Sequence, residues 1–127
     1  MRALLDTHVF VALARQGVEG VGPRSRKLIG DEETDLLLSS ASIAEIAVKA
    51  SIKKLVMTAL DVSKAAEDLR LTLVPFEPRH AVHLFDLPLH HRDPFDRMLI
   101  ATALSEGVPI ISQDSEFRKY RGLRVIW

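Results

Sequence analysis

Short, continuous apolar runs alternate along this chain with stretches in which apolar residues recur at helical spacing. The run Leu36–Ser39 is uninterrupted, as is typical of a strand buried on both faces of a parallel sheet. Parallel strands need crossover connections, and the helical stretches between the runs supply them. The sequence therefore predicts one α/β domain, with strands at residues 2–5, 36–39, 71–74, 108–112 and 123–126.

The helical stretches fall between these strands. Predicted helices cover residues 7–15, 24–29, 62–69 and 94–106, and others begin at Ser42 and Pro78. The helix at 94–106 has the clearest limits, because Asp93 is suited to cap it, Pro94 to start it and Gly107 to end it. Strands that alternate with helices predict a parallel sheet covered by helices on both faces.

Composition excludes several classes of protein. With 127 residues, of which 47% are hydrophobic, the chain suits a single domain over residues 1–127 and is too apolar to be disordered. It has no cysteine, which excludes disulfides, thiol nucleophiles and cysteine zinc sites. No apolar run approaches the ~20 residues of a membrane helix, so we expect a cytoplasmic protein without membrane contact.

The balance of charges in the chain bears on whether it binds nucleic acid. Seventeen basic and seventeen acidic side chains cancel, whereas a nucleic-acid-binding protein usually carries a basic excess. The basic residues are nevertheless clustered, at residues 24–27, 49–54 and 118–124. Such clusters are compatible with solvated helix faces or with a basic rim that holds phosphates around an acidic pocket.

Acidic residues stand where one predicted element gives way to the next. Asp6 follows the first strand, Glu45 lies early in the helix after the second, Asp93 and Asp96 flank the start of the 94–106 helix, and Asp114 follows the fourth strand. Strand ends and helix starts meet at one edge of a parallel sheet, where ligands bind. Carboxylates gathered there repel one another unless a cation neutralises them, and hard divalent ions prefer oxygen ligands. The pattern predicts a metal-dependent hydrolase.

Each acid also has a purely structural interpretation. Asp6, Asp93 and Asp114 each precede a helix or turn that they could cap, and Glu45 could complete a capping box with Ser42. A non-catalytic binding domain whose acids are all caps therefore stays open. A phosphotransfer receiver domain is disfavoured, because it needs an acidic pair near the first strand and Asp6 stands alone.

Other polar residues lie beside these acids. Thr7 follows Asp6 and Ser112 precedes Asp114 by two residues, so that either hydroxyl could orient a carboxylate or bind a metal-coordinated water. The pair His90–His91 is interpreted as part of a surface loop, because two adjacent histidines rarely bind one ion.

Four segments together resemble a known family. They are residues 4–9 (LLDTHV), 42–49 (SIAEIAVK), 90–101 (HHRDPFDRMLIA) and 111–114 (ISQD). The third is the most specific, because a match of that length and composition is improbable by chance. Over essentially its full length the chain resembles the PIN-domain ribonucleases, specifically the toxin component of VapBC-type toxin–antitoxin pairs.

The resemblance implies a five-stranded parallel sheet and endonucleolytic cleavage of RNA with Mg²⁺, or with Mn²⁺ in its place. Matched to the acids of the family, the catalytic and metal-binding residues are Asp6, Glu45, Asp93, Asp96 and Asp114. Asp96 is favoured over Asp93 as the direct ligand. Lys49 and Arg97 are expected to steady the RNA backbone at the rim of the pocket.

The resemblance also implies a cognate antitoxin as partner, in a homodimer or a toxin–antitoxin hetero-oligomer. A segment of the antitoxin that carries Arg or Lys would block the pocket by replacing the charge of the metal. Val11, Ile46, Ile52 and Leu55 are candidates for its groove, although core packing is the expected role of most of them.

Overall fold

A five-stranded parallel sheet forms the centre of the molecule. The computed structural model describes residues 1–127. The strands are β1 (Arg2–Leu5), β2 (Asp35–Ser39), β3 (Thr72–Val74), β4 (Ile110–Ile111) and β5 (Val125–Ile126). They pair in the order β3-β2-β1-β4-β5, and every pairing is parallel, which confirms the predicted sheet.

Helical segments connect consecutive strands. The α-helices are α1 (Thr7–Gln16), α2 (Pro23–Ile29), α3 (Ser40–Ser51), α4 (Ala59–Asp68), α5 (Pro78–Val82) and α6 (Pro94–Glu106). Short 3₁₀ turns cover Gly17–Gly20, His83–Phe85 and Ser115–Lys119, so the helix predicted to run on from Pro78 changes to a 3₁₀ turn after Val82. None of the helices combines the length and the apolar character that crossing a membrane requires.

The strands are apolar on both sides because each face of the sheet has its own core. On one face Leu5 packs in a cluster with Phe10 of α1, and on the other face Leu4 packs in a cluster with Ile100 of α6. Full burial of such a side chain stabilises the fold by about 2 kcal/mol. The continuous run at residues 36–38 has the same origin, which confirms the prediction of helices on both faces.

Helix α3 begins two residues earlier than the pattern predicts. Ser40 is its first residue, and Ser39 is its N-cap, because Ser39 Oγ accepts a hydrogen bond from Ala41 N at 3.0 Å. Glu45 therefore lies in the second turn and forms no capping box with Ser42. The capping interpretation of Glu45 is wrong, which leaves its carboxylate for another role.

The last two strands are shorter than predicted. The sequence predicts strands at residues 108–112 and 123–126, whereas two residues of each belong to the sheet. Pro109 has no N–H to donate, so the ladder with the edge strand begins at Ile110, whose N–H donates to Arg124 O at 2.9 Å.

The predicted limits of α6 are confirmed. Asp93 Oδ1 accepts hydrogen bonds from Phe95 N at 2.9 Å and from Asp96 N at 3.0 Å, and Pro94 is the first helical residue. Gly107 ends the helix with a φ of 66°, in the left-handed region that suits glycine. The first turn of α6, which carries two of the predicted site acids, is thus held in place by its cap.

Candidate metal centre

The carboxyl edge of the sheet brings acidic residues together from separate elements. Asp6 follows β1, Glu45 lies on α3 after β2, and Asp96 lies in the first turn of α6. Burial raises the pKa of the Asp96 carboxyl to about 7, and the nearby carboxylates of Asp6, Asp93 and Glu45 contribute to the rise. The charges of these four acids therefore interact, and Asp114 joins them through contacts given below.

A serine from the neighbouring strand end holds Asp6. Ser112 Oγ donates a hydrogen bond to Asp6 Oδ2 at 2.7 Å and accepts one from Asp114 N at 3.0 Å. Asp6 occupies the N-cap position of α1 but accepts no capping hydrogen bond, and only 2% of it is exposed. Its Oδ1 has no hydrogen-bond partner and lies 3.9 Å from Nδ1 of the exposed His8. Asp6 is therefore oriented by Ser112 and does not act as a helix cap.

The hydroxyl of Thr7 has a different partner from the expected one. Thr7 Oγ1 donates to Ser42 Oγ at 2.8 Å, and both side chains are buried. A hydroxyl has a single hydrogen to donate. Because that hydrogen goes to Ser42, the hydroxyl links α1 to α3, and a role for Thr7 beside the acids stays a prediction.

Glu45 is paired through one of its two oxygens. Its Oε2 lies 2.8 Å from Lys49 Nζ, one turn further along α3, whereas Oε1 has no partner and the residue is 1% exposed. The hydrogen bond with Glu45 raises the pKa of Lys49 against the effect of burial, and the charges of Asp93 and Asp96 add to the rise. Lys49, expected to contact RNA, therefore lies against the acids themselves.

The two acids of α6 differ in what they contact. Asp93 uses Oδ1 to cap the helix, whereas Asp96 caps nothing and is 5% exposed. Asp96 Oδ2 lies 3.0 Å from His91 Nε2, and Asp96 Oδ1 has no partner. Of the two, Asp96 is the acid with a free buried oxygen.

His91, which the sequence interpretation assigned to a surface loop, belongs to this group. Its Nε2 lies 3.0 Å from Asp96 Oδ2 and 3.0 Å from Asp114 Oδ2. Its Nδ1 accepts a hydrogen bond from Asp93 N at 3.3 Å, which places the ring hydrogen on Nε2. The available signal was the position of His91 in the same short segment as Asp93 and Asp96.

Asp114 acts both as a cap and as a member of the group. Its Oδ1 accepts a hydrogen bond from Glu116 N at 2.9 Å, and its Oδ2 faces His91. Burial raises the pKa of Asp114, but the hydrogen bonds from His91 and from Glu116 N outweigh burial and lower it. Burial lowers the pKa of His91, and the hydrogen bond with Asp114 and the charge of Asp96 outweigh that effect and raise it. The contact between His91 and Asp114 thus shifts both pKa values, in opposite directions.

Arg97 points its donors at the backbone of the preceding segment. Its guanidinium donates to the carbonyl oxygens of Pro88 at 2.9 Å, Leu87 at 3.1 Å and His91 at 3.3 Å. Tyr120 Oη accepts a hydrogen bond from His91 N at 2.8 Å. Arg97 thus holds the segment that carries His91, and its contact with RNA stays a prediction.

Three oxygens of this group show which ligand the site fits. Asp6 Oδ1, Glu45 Oε1 and Asp96 Oδ1 are buried and have no hydrogen-bond partner. Such oxygens are costly, and more so when they carry like charges close together. A hard divalent cation prefers oxygen ligands, and each of these oxygens is free to bind one. Ligand atoms of His91, Asp96 and Asp114 also lie within 4.8 Å of one another. The residues present therefore fit a divalent metal ion.

Known proteins show the same fold. A family model for the PIN domain matches residues 3–123. The solved VapBC2 of Rickettsia felis, bound to a DNA fragment from its promoter, matches with 18% identity and a TM-score of 0.72, covering 98% of this chain and 97% of that chain. VapBC of Salmonella typhimurium, bound to DNA, matches with 17% identity and a TM-score of 0.72, covering 98% and 96%. No curated protein matches significantly. At these identities the structural likeness shows a shared fold.

Proposed function

Since the chain belongs to the PIN domain family, we propose that it is a metal-dependent endoribonuclease that acts as the toxin of a toxin–antitoxin pair. The observation that carries this proposal is the set of three unpaired, buried carboxylate oxygens on Asp6, Glu45 and Asp96. Oxygens from three separate elements favour a bound divalent cation over a set of helix caps. The nuclease domain is proposed to span residues 1–127.

Asp6, Glu45 and Asp96 would hold the metal, with Asp114 and Asp93 beside them. When bound, Mg²⁺, or Mn²⁺ in its place, lowers the pKa of a coordinated water and neutralises charge on the phosphate. Asp96, whose pKa is raised to about 7, would have to give up its proton to hold the metal, because a ligand carboxylate must be ionised.

The other residues of the group orient these ligands. Ser112 occupies Asp6 Oδ2 and leaves Oδ1 available. Asp93 anchors the first turn of α6 and so positions Asp96. His91 holds a proton at Nε2 between two carboxylates. Lys49 keeps a positive charge beside Glu45, and this charge attracts a phosphate to the rim.

RNA is the proposed substrate, and a cytoplasmic location follows from that proposal. The zero net charge of the chain means that RNA is attracted by local cations rather than by the whole surface. The identity of the acids does not distinguish one class of RNA from another, so the substrate is proposed at the level of an RNA phosphodiester.

An antitoxin is the proposed protein partner. The solved structures cited above are of VapBC, and a third, VapBC-1 from nontypeable Haemophilus influenzae, matches with 18% identity and a TM-score of 0.66 over 98% of this chain and 96% of that chain. Val48, Ile52, Val56 and Leu60 are exposed apolar residues around the end of α3 and the start of α4, with Val56 87% exposed. Such a surface favours docking of an apolar helix face. Ile46, considered for the same groove, is buried in the core.

A homodimer is also proposed, because a second exposed apolar region lies elsewhere on the chain. Val82 and Phe85 lie in and after α5, Leu89 follows them, and Phe85 is 88% exposed. One region would then serve the antitoxin and the other a second copy in a hetero-oligomer. Light-scattering mass measurements on the wild type and on Phe85→Glu test this, and a monomer at all concentrations would contradict it.

Cleavage of total RNA by the purified protein tests the proposed activity. We expect defined fragments that require Mg²⁺ or Mn²⁺ and disappear with Asp96→Asn, and calorimetric titration should show Mn²⁺ binding that the variant loses. Circular dichroism verifies that both proteins are folded. No cleavage by a folded, antitoxin-free, metal-loaded protein would overturn the proposal.

The alternative is a non-catalytic binding module whose acids are caps. Two acids support it, since Asp93 and Asp114 accept capping hydrogen bonds from the backbone. It leaves the buried carboxylates of Asp6, Glu45 and Asp96 without a role. A calorimetric titration in which Mn²⁺ does not bind would favour this alternative.

A further inference from the structure

A cavity of about 300 Å³ opens beside the acidic group. Asp6 and Asp114 belong both to its lining and to the candidate metal centre. The other lining residues are His8, Val9, Ala12, Gly20, Gln113 and Trp127. The cavity is thus continuous with the proposed reaction site and has an aromatic residue of its own.

Trp127 forms a fixed wall of this cavity. Gly22 is buried against it, and a Cβ atom at residue 22 would lie 2.9 Å from both Cδ1 and Nε1 of the indole. Only glycine allows the ring to approach the backbone so closely. Trp127 also packs against the core that contains Phe10, so the indole is held in position.

Small residues leave the space in front of this wall open. Ala12 and Gly20 both line the cavity, and a Cβ atom at residue 20 would lie 3.2 Å from Ala12 Cβ. A larger side chain at residue 12 would therefore enter the cavity.

We propose that the cavity binds one nucleobase of the RNA strand beside the scissile phosphate, an inference that rests on the proposed function. A nucleobase is flat and stacks on aromatic side chains such as Trp127. Its edge carries donors and acceptors, which the exposed amide of Gln113 can match from the rim because an amide offers both. The contact with Asp6 and Asp114 places this base next to the phosphate held at the metal centre.

The charges of the lining favour a base over a phosphate. Two carboxylates border the cavity, and its one basic side chain, His8, lies against one of them, with Nδ1 3.9 Å from Asp6 Oδ1. An anion would be repelled there, whereas a neutral aromatic ring would not. The cavity therefore selects the base, and the metal centre receives the phosphate.

Fluorescence of Trp127 reports on this cavity directly, because it is the only tryptophan of the chain. Each of the four ribonucleoside 5′-monophosphates, which contain no phosphodiester bond to cleave, is titrated into the protein with Mg²⁺. We expect quenching whose dissociation constants differ by about fivefold or more between the best and the poorest base, and none with inorganic phosphate. Equal quenching by inorganic phosphate, or no quenching by any nucleotide at millimolar concentration, would overturn the proposal. Quenching by N-acetyl-leucinamide alone would assign the cavity to a protein side chain and would also overturn it.

Cut-site sequencing tests the consequence for cleavage. Ala12→Leu fills the cavity and leaves every acid in place, and Ala59→Leu is the matched control on the exposed surface of α4. We expect the nucleotide preference next to the cut to fall about tenfold in Ala12→Leu and to persist in Ala59→Leu. If Ala12→Leu does not fold, Gln113→Ala at the exposed rim is read out in the same way.

The two proposals fail in distinguishable ways. Metal-dependent cleavage with an unchanged preference in the cavity variants would overturn the base site and leave the nuclease standing. If no protein cleaves RNA, the nuclease proposal fails, and the base site fails with it unless the fluorescence titration shows base-dependent quenching.

Discussion

Acidic side chains lie at both the amino and the carboxyl edge of the sheet, where the strands begin and end, but they are fully paired only at the amino edge. At the amino edge, Glu106 at the end of α6 is paired with His80 Nε2 at 2.8 Å, with Arg2 at 3.8 Å and with Arg79. At the carboxyl edge, three acids each keep one buried oxygen without a partner. Pairing therefore distinguishes acids that stabilise the fold from acids that are available to a cation.

The pKa values of acids at the two edges are shifted in opposite directions. The hydrogen bond from His80 lowers the pKa of Glu106, and Arg79 adds to this against the effect of burial. Burial and neighbouring carboxylates raise the pKa of Asp96 to about 7. Ionised acids thus stabilise the amino edge and destabilise the carboxyl edge.

Asp96→Asn should remove the function of the carboxyl edge and spare the fold. We expect cleavage of RNA with Mn²⁺ to fall roughly hundredfold or more, because the amide brings no negative charge to the metal. In urea denaturation at alkaline pH, the metal-free variant should be at least as stable as the wild type, because a buried charge is removed. Glu106→Gln is the control at the other edge and should cleave normally. An equal loss of cleavage in both variants would mean that the edges are not functionally distinct.

The pH dependence of stability should have opposite signs at the two edges. Asp96 keeps its proton up to about pH 7 when folded but loses it near pH ~4 when unfolded. Its contribution is therefore fully present below pH ~4 and lost as the pH rises through about 7, by on the order of 4 kcal/mol without metal. The lowered pKa of Glu106 gives a contribution that is lost as the pH falls through that folded-state value.

Urea titrations across this pH range test both signs. The free energy of unfolding of the wild type minus that of Asp96→Asn should decrease from acidic to neutral pH. The same difference taken with Glu106→Gln should increase over the acidic part of the range. A difference with Asp96→Asn that increases with pH would contradict the raised pKa.

Glu106→Ala should weaken the amino edge without affecting cleavage. The variant leaves the buried His80 Nε2–H without an acceptor, which costs about 1–3 kcal/mol of unfolding free energy. Glu116→Ala is the matched control, because Glu116 pairs with the exposed Lys119 and such pairs contribute about 1 kcal/mol or less. Chemical denaturation measures the free energy of unfolding of both variants. Equal losses would show that the buried network around Glu106 stabilises the protein no more than an exposed ion pair does.

Arg97→Gln should have the smallest effect on activity. This variant distinguishes a residue that positions the site from one that binds the RNA phosphate. Because Arg97 holds the segment that carries His91, we expect kcat to fall about tenfold with KM for RNA unchanged. Arg97→Lys should behave like Arg97→Gln, since lysine keeps the charge but not the fork of donors. If Arg97 instead bound a phosphate, the variant would raise KM and reduce the salt slope of RNA binding by about 1.

What could be predicted from the sequence depended on local signals. The limits of α6 are encoded by Asp93, Pro94 and Gly107, which are neighbours of the helix itself. The convergence of acids follows from parallel strand order, which apolar periodicity and the family resemblance both indicate.

Contacts between distant parts of the chain could not be predicted in this way. His91 meets Asp114 across 23 residues, and Thr7 bonds to Ser42 across 35. The residues that flank them in the sequence do not indicate which distant residue each of them contacts. The carbonyl contacts of Arg97 could not be predicted for a related reason, since a charged side chain beside a helix start is compatible with either a phosphate or backbone carbonyls.

Lys49 supplies the acidic group with a counter-ion from within the chain, and His91 supplies it with a hydrogen-bond donor. Because Lys49 already pairs with Glu45, it would compete with the proposed metal, so the residue at position 49 would influence how much divalent ion the proposed nuclease needs. A change there would leave the sheet and its two cores intact. The metal concentration that activates such an enzyme can therefore diverge between lineages by single substitutions, independently of the inheritance of its fold.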